Sequence, residues 1–273
     1  MTLSWGKSMR LSASSCAAAL LAGLCAFTAP AHADLLDDIN ARGVVRVGIM
    51  TDYPPFGSVD QQMKPRGYDI DMSALLEKAW HVRVEFVPVT APNRVATLQT
   101  GKADVMLNIG RSEERAKAVD FTQPYAPYYI GIYGKPGSPP IRGVADLKGM
   151  TVAVTKGAIE ERLLTEQAKD ARLSRYDDNA STISAFFSGQ ANTMAIGNVI
   201  AVALRQKGSP PFEEKLILLN SPVHAAVPKG EKRLLDKMNA FLSSIKADGS
   251  LNAISEKWMG QPLSPDLLQA GAK

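Results

Sequence analysis

Val44-Val45-Arg46-Val47-Gly48-Ile49-Met50 runs directly into Thr51-Asp52-Tyr53-Pro54-Pro55-Phe56-Gly57. The first part is a short apolar run of strand type. The second is a turn stiffened by two prolines, which presents Tyr53 and Phe56 at the carboxyl end of that strand. In open α/β sheets ligands settle at that end, so Tyr53 and Phe56 are candidate binding residues. The two aromatics would serve equally well to cap the core, and the residues alone do not separate these uses.

Working outward, the chain alternates strands with helices. Met72, Leu75, Leu76, Ala79 and Trp80 recur at helical spacing, and Val82, Val84 and Phe86 then alternate as in a strand. Asn93 reads as the cap of a short helix that Gly101 ends, and Ala103 to Ile109 is the next strand. After the Gly- and Pro-rich loop 134–143 the rhythm restarts, with strands at Thr151–Val154, Leu173–Tyr176, Thr193–Ile196 and Leu216–Leu219. Helices are predicted from Gly157 to about Lys169, from Asn179 to Phe187 and from Asn198 to Gln206. Two more close the chain, about Glu231–Lys246 and Leu251–Trp258, with Asp248-Gly249 as the stop between them. This pattern is α/β and suggests two lobes. Gly131-x-x-Gly134-x-x-Gly137 lacks the dinucleotide spacing and no helix follows it, so it reads as loop.

Two further polar stretches stand out. In Gly67-Tyr68-Asp69-Ile70-Asp71-Met72 the acids fall in a helix's first turn, where the macrodipole favours them, which is a structural use. In Asn108-Ile109-Gly110-Arg111-Ser112-Glu113-Glu114-Arg115 a strand ends in a polar turn. An arginine there can grip a carboxylate bidentately or simply join a surface salt bridge.

The start of the chain reads as a secretory leader. Lys7 and Arg10 precede an apolar run from Ala17 to Phe27, and Ala31-His32-Ala33 has the small residues of a cleavage site. That run is far short of the roughly 20 residues that span a bilayer. Cleavage after Ala33 would remove both cysteines, Cys16 and Cys25, leaving no disulfide and no Cys-ligated zinc. It would also remove Lys7 and Arg10, taking the net charge from +4 to +2. Only His81 and His224 would remain, far apart, so neither a metal site nor a cofactor is expected. No run of basic residues with interleaved aromatics argues for nucleic acid.

Read together, these stretches resemble family 3 of the bacterial extracellular solute-binding proteins, the amino-acid-binding components of ABC importers. The likeness runs from about Val44 to Trp258. It rests on Tyr53-Pro54-Pro55-Phe56, Gly67-Tyr68-Asp69-Ile70-Asp71-Met72, Leu98-Gln99-Thr100-Gly101-Lys102-Ala103-Asp104, Glu114-Arg115, Asp120-Phe121-Thr122, Asp146-Leu147-Lys148-Gly149 and Asp248-Gly249-Ser250. The resemblance implies a type II periplasmic-binding-protein fold: two α/β lobes, a two-segment hinge and a ligand cleft between them. By analogy lobe 1 is discontinuous, 34–128 plus 222–273, and lobe 2 is 129–221. The crossings are expected near Tyr128–Tyr133 and Asn220–His224. A periplasmic monomer that hands a small carboxylate-bearing ligand to an inner-membrane ABC permease is the implied function.

The resemblance maps the carboxylate-binding arginine onto Arg115. It maps aromatic packing onto Tyr53 or Phe56, and further ligand contacts onto Asn108, Gly110, Gly157, Ala158 and Asn198. Asn93-Arg94 resembles a motif of some acidic-amino-acid binders, so Arg94 either meets the ligand or forms a surface salt bridge. Departures are also present. Ala158-Ile159 follows Gly157 where a hydroxyl is usual, leaving backbone N–H groups to bind an anion. Gly197, beside Asn198, stands where lobe two usually has an acid, and Gly110 where a hydroxyl is common. Glu160 or Asp52 is left to compensate. The expected ligand is therefore anionic, an acidic amino acid or small organic acid, and not lysine, arginine or histidine. Competing functions are a dehydratase on the same scaffold, similar to cyclohexadienyl dehydratase with Glu160 as its acid, and a sensor module.

Overall fold

The computed structural model describes residues 34–271, and the expected leader and its cleavage after Ala33 lie outside them. Helix α1 (Leu35–Arg42) is capped by the Asp34 carboxylate, which accepts from Leu36 N at 2.9 Å. Strand β1 (Val44–Met50) follows, then the small hairpin β2 (Ser58–Val59) and β3 (Pro65–Arg66). Helix α2 (Tyr68–Trp80) turns Tyr68, Met72, Leu76 and Trp80 inward at helical spacing. Then come β4 (Arg83–Val89), α3 (Arg94–Gln99), β5 (Val105–Gly110), α4 (Glu113–Ala118), β6 (Val119–Ala126) and β7 (Tyr129–Gly134).

The next part contains β8 (Thr151–Thr155), α5 (Ile159–Gln167), β9 (Arg172–Tyr176), α6 (Asn179–Phe187), β10 (Thr193–Gly197), α7 (Asn198–Gln206) and β11 (Glu213–Asn220). The chain closes with β12 (Val223–Pro228), α8 (Lys232–Ala247), α9 (Ser250–Met259) and α10 (Pro265–Gln269).

The strands form two five-stranded sheets, ordered β4-β1-β5-β12-β6 and β11-β7-β10-β8-β9. In the first, β1 is parallel to β4 and β5, whereas β12 is antiparallel to β5 and β6. In the second, β8 is parallel to β9 and β10, and β7 is antiparallel to β10 and β11. This is the α/β architecture that the strand–helix rhythm predicted. The chain passes between the sheets at Pro127-Tyr128 and again at Ser221-Pro222, and Ser221 N donates to Tyr128 O at 2.9 Å where the two passages meet.

The central strands are buried on both faces. All of β10 is buried, and β8 sends Val152 and Val154 into one apolar cluster and Ala153 into the other. Helices α8 and α9 pack onto the first sheet's layer, with α8 against β6 and β12 and α9 against α2. No helix among the described residues is long and apolar enough to cross a membrane.

Some local expectations shift. Asn93 is the residue before α3, but its side chain makes no cap bond; Oδ1 instead accepts from Thr90 N at 2.9 Å and closes the preceding turn. Helix α5 starts at Ile159 rather than Gly157, because Gly157 has φ 69°, the left-handed region.

Candidate functional site

The carboxyl ends of the parallel strands in both sheets face one another. From the first sheet's side the space between them is lined by Met50, Tyr53, Ala91, Arg94, Asn108, Gly110 and Arg115. From the second come Ile130, Ala158, Ile159, Glu160 and Asn179, and Tyr128, Ser221 and Val223 stand at the crossings. The cavity measures about 30 Å³.

Arg94 and Arg115 dominate its chemistry. They are 6% and 5% exposed, and neither is in an ion pair among the described residues. Arg94 Nη1 donates to Asn108 O at 2.5 Å and Nε to Ala91 O at 3.4 Å. Arg115 Nη1 donates to Gly110 O at 2.8 Å, and Nη2 reaches across to Gly157 O at 2.6 Å. Burial, with repulsion from Arg94 and Arg162, pushes Arg115 down to about 9. Burial also lowers Arg94. Two desolvated cations without a carboxylate are costly in a folded protein, and such groups concentrate where a ligand supplies the missing charge.

Behind the arginines a buried network fixes the end of β5. Tyr125 Oη donates to Asp69 Oδ1 at 2.7 Å and accepts from Asn108 N at 2.9 Å, while Tyr68 Oη donates to Tyr125 O at 3.0 Å. Burial raises the Asp69 carboxyl to about 8, so at neutral pH it is largely protonated. Asp69 thus does more than face the helix dipole. Asn108 sits at φ 49°, a conformation asparagine tolerates, and its buried Nδ2 has no partner within the protein.

The remaining sequence candidates divide. Tyr53 lines the cavity, and its hydroxyl pairs with that of Tyr128. Phe56 does not line it: fully buried, it stacks 6.2 Å behind Tyr53 and 5.5 Å from Tyr68, filling the core instead. Asp52 is also outside the lining, because Oδ2 is occupied by Asn179 N (2.9 Å) and Nδ2 (3.2 Å) at the start of α6. Gly157 contributes its carbonyl to Arg115. Ala158 lines the cavity, but its N–H is already given to Thr155 O at 3.1 Å rather than left for an anion. Asn198 lies outside the cavity, where Oδ1 accepts from Tyr129 N at 3.0 Å and steadies the first crossing.

Sequence reasoning missed Tyr128, Asn179 and Ser221. Position in a crossing segment marks the first and third, and that depends on pairing between distant strands. Asn179 follows the Asp178 cap, a legible helix start, but nothing local says that this helix meets the cavity.

Residues 45–261 match the model of "Bacterial extracellular solute-binding proteins, family 3". The chain belongs to this family. It is 29% identical over 249 residues to the L-cystine-binding protein TcyJ of Escherichia coli strain K12, covering 89% of this chain and 92% of that protein. It is 28% identical over 232 residues to the glutamine-binding protein GlnH of Bacillus subtilis strain 168, covering 83% and 85%. The crystal structure of a solute receptor for L-cysteine from Neisseria gonorrhoeae superposes with a TM-score of 0.78 at 31% identity, covering 85% of this chain and 98% of the other. The first two relatives are named as binding proteins, and the match to solved structures supports the type II periplasmic-binding-protein fold.

Two glycines of this family 3 solute-binding protein have steric causes. A Cβ on Gly197 would run into the Tyr128 ring, and one on Gly110 into Ile159 Cδ1, with Ser221 Oγ at 3.3 Å. No side chain fits at either position without moving its neighbour, and Ser221 brings a hydroxyl to the wall from the second crossing.

Proposed function

We propose that this solute-binding protein is the periplasmic receptor of an ABC importer for a small carboxylate-bearing ligand, an amino acid of zero or negative net charge or a related organic acid. The observation that carries the reading is the pair of buried guanidiniums, Arg94 and Arg115, on the wall of the cavity between the sheets, neither of them in an ion pair among the described residues. Arginine receives a carboxylate through parallel charge-assisted hydrogen bonds. With at most one negative charge from Glu160 against two positive ones, the wall favours an anion or zwitterion over a cation.

Lobe 1 is 34–128 plus 222–273 and lobe 2 is 129–221, and they move about the crossings at Pro127-Tyr128 and Ser221-Pro222. A cavity of about 30 Å³ holds one or two waters, so an amino acid enters by the lobes parting. Closure then completes contacts that span the two sheets, Arg115 to Gly157 and Asp52 to Asn179. The receptor acts as a monomer, exported by a leader cleaved after Ala33, and delivers its ligand to the permease without altering it. Support comes from the family and from relatives named for cystine, cysteine and glutamine binding.

A thermal-shift screen over amino acids and small organic acids tests this. A ligand at a hundredfold excess over its Kd stabilises by about 2.7 kcal/mol, which is easily seen. No shift with any carboxylate, or a shift confined to lysine and arginine, would overturn the reading.

A further inference from the structure

The cavity wall also holds a carboxylate that the protein does not use. Glu160, in the first turn of α5, is 3% exposed and lines the cavity opposite the arginines. Among the described residues its side chain makes no ion pair within 4.0 Å and no hydrogen bond to another residue's side chain. The nearby Asp52 is committed to Asn179, and the end of β10 offers only Gly197, whose Cβ direction the Tyr128 ring fills. The wall therefore carries positive charge on the α3 and α4 side and a single available negative charge on the α5 side. A ligand with a carboxylate at one end and an ammonium at the other satisfies both.

Resting on the receptor reading above, we infer that Glu160 is the acceptor for the ligand's α-ammonium group and so selects amino acids over acids that lack one.

The surroundings give this contact a proton linkage. Glu160 is faced by Arg94 from α3, Arg115 from α4, Tyr53 from the turn after β1, Tyr128 from the crossing and Glu161 on its own helix. Burial outweighs the attraction of the arginines and raises its carboxyl to about 7, while burial also keeps both tyrosines neutral. In the empty protein near neutral pH a large fraction of Glu160 holds a proton. An arriving ammonium favours the carboxylate, so the carboxyl O–H proton leaves to solvent on binding. Affinity for an amino acid rises with pH through about 7 and levels off above it.

The experiment is calorimetry on wild type and Glu160→Gln. The ligand is the tightest of L-glutamate, L-glutamine and L-cystine, paired with its deamino counterpart, glutarate, glutaramate or dithiodipropionate. Wild type should prefer the amino acid and release a proton, read from buffers of different ionisation enthalpy. Glu160→Gln should lose at least about thirtyfold for the amino acid and bind the deamino acid as well as wild type or better. That retained binding also shows the variant is folded, and proton release by wild type is an independent readout needing no variant. Wild type that binds both members of a pair equally, or binds the amino acid without releasing a proton, overturns the assignment of Glu160 alone. Wild type that binds neither member of any pair overturns this inference, and wild type that binds no carboxylate of the screen overturns the receptor reading with it.

Discussion

Replacing Arg115 with alanine separates ligand binding from folding. The side chain is 5% exposed and fixed by Gly110 O and Gly157 O, yet among the described residues it has no acid within ion-pair distance. Its depressed pKa, about 9, records the free energy that burial withholds from the charged form. A ligand carboxylate would recover part of that. Truncating one member of a desolvated hydrogen-bonded charge pair costs about 2–5 kcal/mol, so Arg115→Ala should weaken binding at least about thirtyfold. The empty protein should suffer little, because the lost bonds to two carbonyls are offset by removing an uncompensated buried cation. Arg111→Ala is the control: it removes the same charge from an exposed site in the turn before α4 and should change affinity by no more than about threefold. The assay is calorimetric titration with the best ligand of the screen, beside urea unfolding without ligand. Equal losses in the two variants would refute a specific carboxylate contact, as would unchanged affinity in Arg115→Ala.

Other perturbations probe other layers. The Asp69 carboxyl is raised from 3.8 to about 8 and that of Glu160 from 4.5 to about 7, so the folded state binds more protons than the unfolded one across that range. Unliganded stability should therefore fall as pH rises from about 4 to 8, and Asp69→Asn should flatten the fall; a melting temperature that climbs over this interval would contradict it. Gly197→Ala should cost about 1–3 kcal/mol in urea unfolding, since the new methyl must displace Tyr128. Arg162 of α5 joins Glu114 of α4 at 2.5 Å and Ser112 Oγ at 2.8 Å, a link between the two sheets' sides. Its removal should speed ligand dissociation several-fold in stopped flow, with association little changed.

Where periodicity or punctuation was strong, the sequence was sufficient. Helices α6 and α7 begin and end where the pattern placed them, β1, β5, β8 and β10 lie within a residue or two, and β4 runs three residues past the expected end at Phe86. Helices α1 and α4 and strand β12 escaped notice. The first two are short and rich in charge, and β12 takes its strand character from antiparallel pairing with β5 and β6, over a hundred residues away. The site was half legible for a related reason. Arg94 and Arg115 follow recognisable motifs, and both line the cavity. Phe56 stands in a motif and Asn198 beside a mapped position, but one packs behind Tyr53 and the other bonds the backbone of Tyr129, choices made by neighbours in space. Whether Glu160 or Asp52 faces the cavity could not be read locally. It depends on Asn179, a partner 127 residues from Asp52, occupying Asp52.

A crystal structure of the protein with its tightest amino-acid ligand tests the central claim most directly. The account expects the ligand between the two sheets, its carboxylate about 2.7–2.9 Å from the guanidinium of Arg115. A ligand bound outside this cavity, or one whose carboxylate points away from Arg94 and Arg115, would contradict it.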